Sequence, residues 1–158
     1  PQSDLLSSNV PGAHLMTHWA AQYIGRPWVS GARGPGEFDC WGLVRWVYAK
    51  HYGISLPEYV GIDAADHLAV MRTMRDSERA KDVLFSDWSI TGTPTDGCAV
   101  LMGGQSAFHH VGVYVMLPEG GHVLHCRAGA GTVLQTPTDL KTSMGFARLL
   151  FYRHALHS

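Results

Sequence analysis

The chain has 158 residues, enough for one folded domain with a real core. Apolar residues make up 46% and charged residues 16%, which excludes an intrinsically disordered chain. A formal charge of -1 leaves no basic footprint for nucleic acid and no polybasic patch for a membrane surface. Ten histidines make the charge rise steeply as pH falls through about 6.5. No apolar run approaches the roughly 20 residues of a membrane span. Pro1-Gln2-Ser3-Asp4 carries neither the basic nor the apolar region of a secretory leader. The three cysteines, Cys40, Cys98 and Cys126, are too few and too odd for a disulfide framework, so a free thiol is expected.

In chain order, residues 1–12 read as a polar extended arm of a single domain over 1–158. His14 to Tyr23 reads as a first helix, with Leu15, Trp19 and Tyr23 at spacings of four. Gly25 and Pro27 then stop it. Ser30 to Gly36 is a glycine-rich loop by composition. A second helix begins at Cys40 and runs to about Tyr52, with Leu43, Val44, Val47 and Tyr48 on its apolar face and Gly53 at its end. Leu56-Pro57-Glu58-Tyr59 is a turn. A more polar third helix is expected from Asp63 to about Arg79, with Leu68, Met71 and Met74 inward. The period then changes to two. Strands are expected at Cys98–Met102, His110–Val115, His122–Cys126, Thr132–Gln135 and Ala147–Tyr152, with a turn at Pro118–Gly121 and a small helix at Asp139–Ser143. Helices followed by a meander of strands predict an α+β domain with an antiparallel sheet.

Cys40 carries the chemistry. Asp39 before it is a good N-cap. The thiol therefore stands at a helix N-terminus, where unpaired N–H groups favour negative charge, and a depressed thiol pKa is expected. A nucleophilic cysteine needs a base and a group to orient that base. His110 opens one strand and His125 lies late in the next. In a hairpin these are neighbours, with His110, Gly112 and Tyr114 on one side. The arrangement is a Cys-His-His version of the triad. A competing class is metal binding, since Cys98, His109, His110, His122, His125 and Cys126 supply soft ligands. None of them forms a compact ligand unit, and alternation separates His125 from Cys126.

These residues resemble a family. Gly25-Arg-Pro-Trp28 with Phe38-Asp-Cys-Trp-Gly-Leu-Val44, then His110-Val-Gly-Val-Tyr114, then Val123-Leu-His125 with Thr132-Val-Leu134 are similar in order and spacing to the three motifs of the NlpC/P60 cysteine peptidases. The resemblance covers roughly residues 14–152 and implies a papain-like α+β fold. It implies Cys40 as nucleophile, His110 as base and His125 as orienting residue, with Trp28, Asp39 and Trp41 toward the substrate. It calls for no cofactor and no metal. The implied substrate is a bacterial peptidoglycan stem peptide, cut between γ-D-glutamate and the diamino acid. Cys-Trp-Gly-Leu-Val-Arg45 is most similar to the phage tail-tip branch. That similarity implies a virion-tail location, action on the cell wall in the periplasm, and other tail-tip proteins as partners. A catalytically silent tail component is the other role this fold would allow.

Three departures stand out. The family commonly has Tyr where this chain has Trp28, and an indole donates one N–H but accepts nothing. It often has Ser where this chain has Trp41, and that Ser is associated with holding the substrate's free amine. The turn between the histidines is also longer, by about three residues, at a place where loops tolerate insertion.

Overall fold

The computed structural model describes residue 15 and residues 17–58, 87–105 and 107–157. The expected arm over 1–12 and the expected third helix over 63–79 lie outside the described residues. Among the described residues, six strands form one antiparallel sheet: β1 (Trp88–Thr91), β2 (Ala99–Gly103), β3 (Phe108–Leu117), β4 (Gly120–Arg127), β5 (Gly131–Gln135) and β6 (Arg148–His154). Their order across the sheet is β1-β6-β2-β3-β4-β5. The meander β2-β3-β4-β5 follows the sequence expectation. β1 was not expected. It is a four-residue edge strand, and only Trp88 has a strong reason to be covered, under the rings of Tyr48 and His154.

Helix α1 (Cys40–Val47) crosses β3 and β4. Its apolar stripe of Leu43, Val44 and Val47 meets Val111, Val113, Val115 and Leu117 of β3, with Leu124 and Cys126 of β4. This face is the main core. The helix does not continue as α to Tyr52. It widens into a π turn at Tyr48–Tyr52 and ends at Gly53 in the left-handed region. Tyr48 is fully buried there and donates its hydroxyl to the Gly97 carbonyl. The opposite face of the sheet is covered by α2 (Pro137–Thr142), whose Leu140 packs with Val100, Met102, Tyr114, Val123 and Phe146.

The first helix also differs from expectation. Leu15 and Thr17 are helical, but the chain bends at His18, and Trp19–Tyr23 is a 3-10 helix. His18 is the cause. Its Nδ1 accepts from the Ala20 amide at 3.1 Å, and its Nε2 meets Asp96 at 2.9 Å. Asp96 also takes bonds from the Trp19 indole and the Met116 amide, so the turn before β2 anchors this segment.

Candidate active site

The nucleophile candidate sits where the glycine-rich loop meets α1. Asp39 is the N-cap, and its Oδ1 accepts from the Gly42 amide at 2.6 Å. Its other oxygen takes the Gly31 amide at 3.0 Å, and Arg33 Nη1 reaches both oxygens at 2.8 Å. Glu58 stands on the other side of Arg33, 3.5 Å from Nε. The loop closes against the helix because residue 42 has no side chain. A Cβ there would lie 2.1 Å from the Ala32 carbonyl, which instead accepts the Asp39 amide at 3.1 Å.

Cys40 is buried, with the backbone amides of Trp41 and Val111 acting to favour its ionised form. The first amide belongs to the helix and the second to β3, whose Val111 shares a core with Cys40. Its pKa runs opposite to the expectation. Burial, and next the Asp39 carboxylate, push the thiol up to about 12 against the opposing pull of those two amides. The expectation weighed the helix terminus alone. In the fold the cap that makes the helix places its charge beside the sulfur, and the core removes the water.

Val111 brings His110 with it. The pairing of β2 with β3 shifts between Met102, opposite His110, and Gly103, opposite Phe108. His109 is therefore the extra residue of a bulge, a device that re-aims the next side chain. β3 and β4 pair from Leu117↔Gly120 as far as Val113↔Leu124 and no further, while β4 stays with β5 through Arg127. In the opening between β3 and β4, His110 Nε2 and His125 Nδ1 meet at 2.9 Å with their rings at 83°. Gly112 makes room, since a Cβ there would lie 3.1 Å from His125 Cβ. The ring of Phe146 is parallel to His110 within 3°, centroids 5.6 Å apart.

His125 is fully buried. Burial lowers its pKa to about 4, with Arg127 acting the same way and the hydrogen bond it donates to Gln135 partly opposing. Its Nε2 meets Gln135 Oε1 at 2.8 Å. The imidazole is therefore neutral at physiological pH and bonded at both nitrogens.

The sequence-predicted residues thus fall into three groups. His110 of β3 and His125 of β4 meet directly, and Val111, the residue after His110, packs in the same core as Cys40 at the start of α1. Trp28 bridges Phe38, two residues before Cys40, and packs against the core cluster that includes Cys40. Trp41 flanks the thiol, but its indole N–H is committed to the Pro57 carbonyl at 3.0 Å. Asp39 is 2% exposed with both oxygens engaged, so it serves the loop and helix first. The ligands considered for a metal do not assemble. Cys126 donates its S–H to the Phe38 carbonyl, His122 is bonded to the Gly120 carbonyl, and Cys98 lies beside Thr95. Among the described residues no set of three His, Cys, Asp or Glu side chains is placed to hold an ion. Sequence reasoning missed Arg33, Gln135 and Phe146. Alternation signals Gln135, which stands on the same face of β5 as Val133, the register partner of His125.

Comparison with known proteins adds three findings. The NlpC/P60 family model matches residues 25–146. The chain is 30% identical over 96 residues to "Probable endopeptidase p60" of Listeria innocua and to that of Listeria monocytogenes, covering 61% of this chain and 16% of each relative. It is 31% identical over 136 residues to "Protein P54" of Enterococcus faecium, covering 86% of this chain and 23% of that protein. The chain therefore spans about a sixth to a quarter of the length of these curated relatives. Among solved structures, the NlpC/p60 domain of the peptidoglycan hydrolase SagA superposes with a TM-score of 0.50 at 22% identity, over 90% of this chain and 98% of that one. That likeness concerns the fold, which is the papain-like α+β arrangement expected from the motifs.

Proposed function

The chain belongs to the NlpC/P60 family, and from that premise we propose that it is a cysteine peptidase hydrolysing an amide bond in peptidoglycan stem peptides. One observation carries the reading. The Val111 amide of β3 acts on the Cys40 thiol, and the residue before Val111 is a histidine whose Nε2 is bonded to a second, neutral histidine. With Nε2 turned to His125, Nδ1 of His110 is the base for the thiol. Burial keeps the proton on the Cys40 thiol at rest, so its transfer to His110 accompanies attack on the carbonyl. The tetrahedral oxyanion meets the Cys40 amide at the start of α1. His110 then protonates the leaving amine, and water releases the thioester.

The finer reading is the γ-D-glutamate–diamino acid bond, attacked in intact wall by a tail-borne phage enzyme. The Cys-Trp-Gly-Leu-Val-Arg45 stretch supports the tail, and the surroundings of Cys40 support intact wall. Neither indole offers an acceptor for a free ammonium. The Asp39 carboxylate is taken by Gly31, Gly42 and Arg33. Recognition therefore does not depend on a free stem-peptide amine. Digestion of purified sacculi, with fragments weighed by mass spectrometry, tests both points. New peptide termini at the diamino acid are expected, at rates no lower than on free tripeptide. Peptides released whole from the glycan would instead show an amidase, and a strict need for the free amine would move the role to peptide recycling.

A further inference from the structure

We propose that Gln135 is a positioning residue of this site: its side-chain carbonyl holds His125 in one tautomer and thereby decides which nitrogen of His110 takes the Cys40 proton. The inference rests on the peptidase reading for its kinetic part only.

Hydrogen-bond polarity along the relay carries it. Gln135 Oε1, 2.8 Å from His125 Nε2, can only accept. His125 Nε2 is therefore the protonated nitrogen, and a neutral imidazole protonated there has its lone pair on Nδ1. That lone pair faces His110 Nε2 at 2.9 Å. His110 Nε2 must then carry a hydrogen, which leaves the lone pair of neutral His110 on Nδ1. A reversed amide would invert every link. His125 would donate from Nδ1, His110 Nε2 would hold the lone pair, and Nδ1 would arrive already protonated. When His110 becomes imidazolium, Nε2–H and Nδ1 still fit in the first arrangement, while the reversed one sets two hydrogens against each other.

The backbone supports the placement. Val133 is the register partner of His125, and Gln135 lies two residues on, on the same face. A long side chain spans such a diagonal. The choice of an amide also matters. A carboxylate would orient the ring equally well but would draw a proton onto His125. An amide leaves it neutral, which suits a ring that is fully buried.

The test uses the whole chain labelled with 15N-histidine. Long-range 1H–15N correlation NMR of the resting wild type should show His125 protonated at Nε2 and unprotonated at Nδ1. Gln135→Glu, which keeps the acceptor, should keep Nε2 protonated but add a proton at Nδ1 as its charge draws His125 toward imidazolium. Gln135→Met should mix the tautomers and lower kcat on a soluble stem-peptide fragment roughly tenfold to a hundredfold, the range for one lost buried partner, with KM nearly unchanged. His125 protonated at Nδ1 in the wild type overturns the proposal even where no variant folds. So does a Gln135→Met protein with wild-type kcat. Absence of any Cys40-dependent hydrolysis would remove the peptidase reading instead, and the tautomer measurement would stand apart from it.

Discussion

Gly112→Ala probes the opening between β3 and β4 that lets the two imidazoles meet. The added methyl would lie 2.7 Å from the Leu124 carbonyl oxygen and 2.8 Å from Val123 Cγ1, with His125 Cβ at 3.1 Å. Ordinary contact begins at 3.4 Å, so the carbonyl must retreat by about 0.7 Å, the difference from 2.7 Å. That oxygen is backbone, and Leu124 is tied to Val113 on one side and Leu134 on the other. The strand must therefore move as a body. Overpacking of this kind costs about 1–3 kcal/mol, a fall in Tm of roughly 2–12 °C for a domain of this size. A shift of that size also stretches the 2.9 Å contact of His110 with His125 beyond hydrogen-bonding distance. Misplacement of about 1 Å costs roughly a hundredfold in rate. Thermal unfolding by circular dichroism and turnover on sacculi would be measured side by side. Gly104→Ala, where a Cβ meets nothing within 4 Å, is the control and should change neither. Wild-type turnover in Gly112→Ala would refute the idea that this spacing holds the relay together.

Other outcomes follow from the same geometry. Cys40→Ala and His110→Ala should each abolish turnover, because nucleophile and base act as a unit. His125→Asn or His125→Gln should keep partial activity while His125→Ala loses more, all unchanged by excess EDTA; equal, complete loss in every variant would point to a folding role. Resting Cys40, pushed up to about 12, should react slowly with iodoacetamide at neutral pH and about tenfold faster per pH unit up to pH 9, whereas a rate already flat at pH 7 would reveal a preformed ion pair with His110. His125, lowered from 6.5 to about 4, binds its proton more readily unfolded than folded. It therefore contributes about 3 kcal/mol that is fully present above pH 6.5 and lost as pH falls through 4. Urea unfolding at several pH values should show that slope in the wild type and a weaker one in His125→Asn, and equal slopes would show that other groups set the acid limb.

The helix start and the strand meander were legible in the sequence because both are local. Asp39 announces a cap, and alternation around His110-Val-Gly-Val-Tyr114 announces a strand. Cys40, His110 and His125 could be named by type and order. Their convergence could not be derived so simply, because it depends on the bulge at His109 and the end of pairing after Leu124. Both are properties of two strands together. Gln135 was hidden for a similar reason, since its face is periodic but its partner lies ten residues away. Arg33 looked like one more residue of a glycine-rich breaker. Its role appears only when the loop folds back on the helix it precedes.

The direction of the Cys40 pKa shows why a motif alone is a poor guide to electrostatics. A helix N-terminus draws a thiol toward ionisation by a field that fades within a turn. Here the residue that completes the helix is itself an anion. It spends its bonds on Gly42, Gly31 and Arg33 and still raises the neighbouring thiol. A resting thiolate would add a second negative charge in a buried corner whose nearest histidine pair includes one ring kept neutral by burial. The lower-energy arrangement holds the proton on sulfur until a carbonyl stands ready to take the electron pair. His110 then needs an acceptor behind it that is fixed in tautomer and does not compete for the proton. A buried imidazole held by an amide meets both conditions.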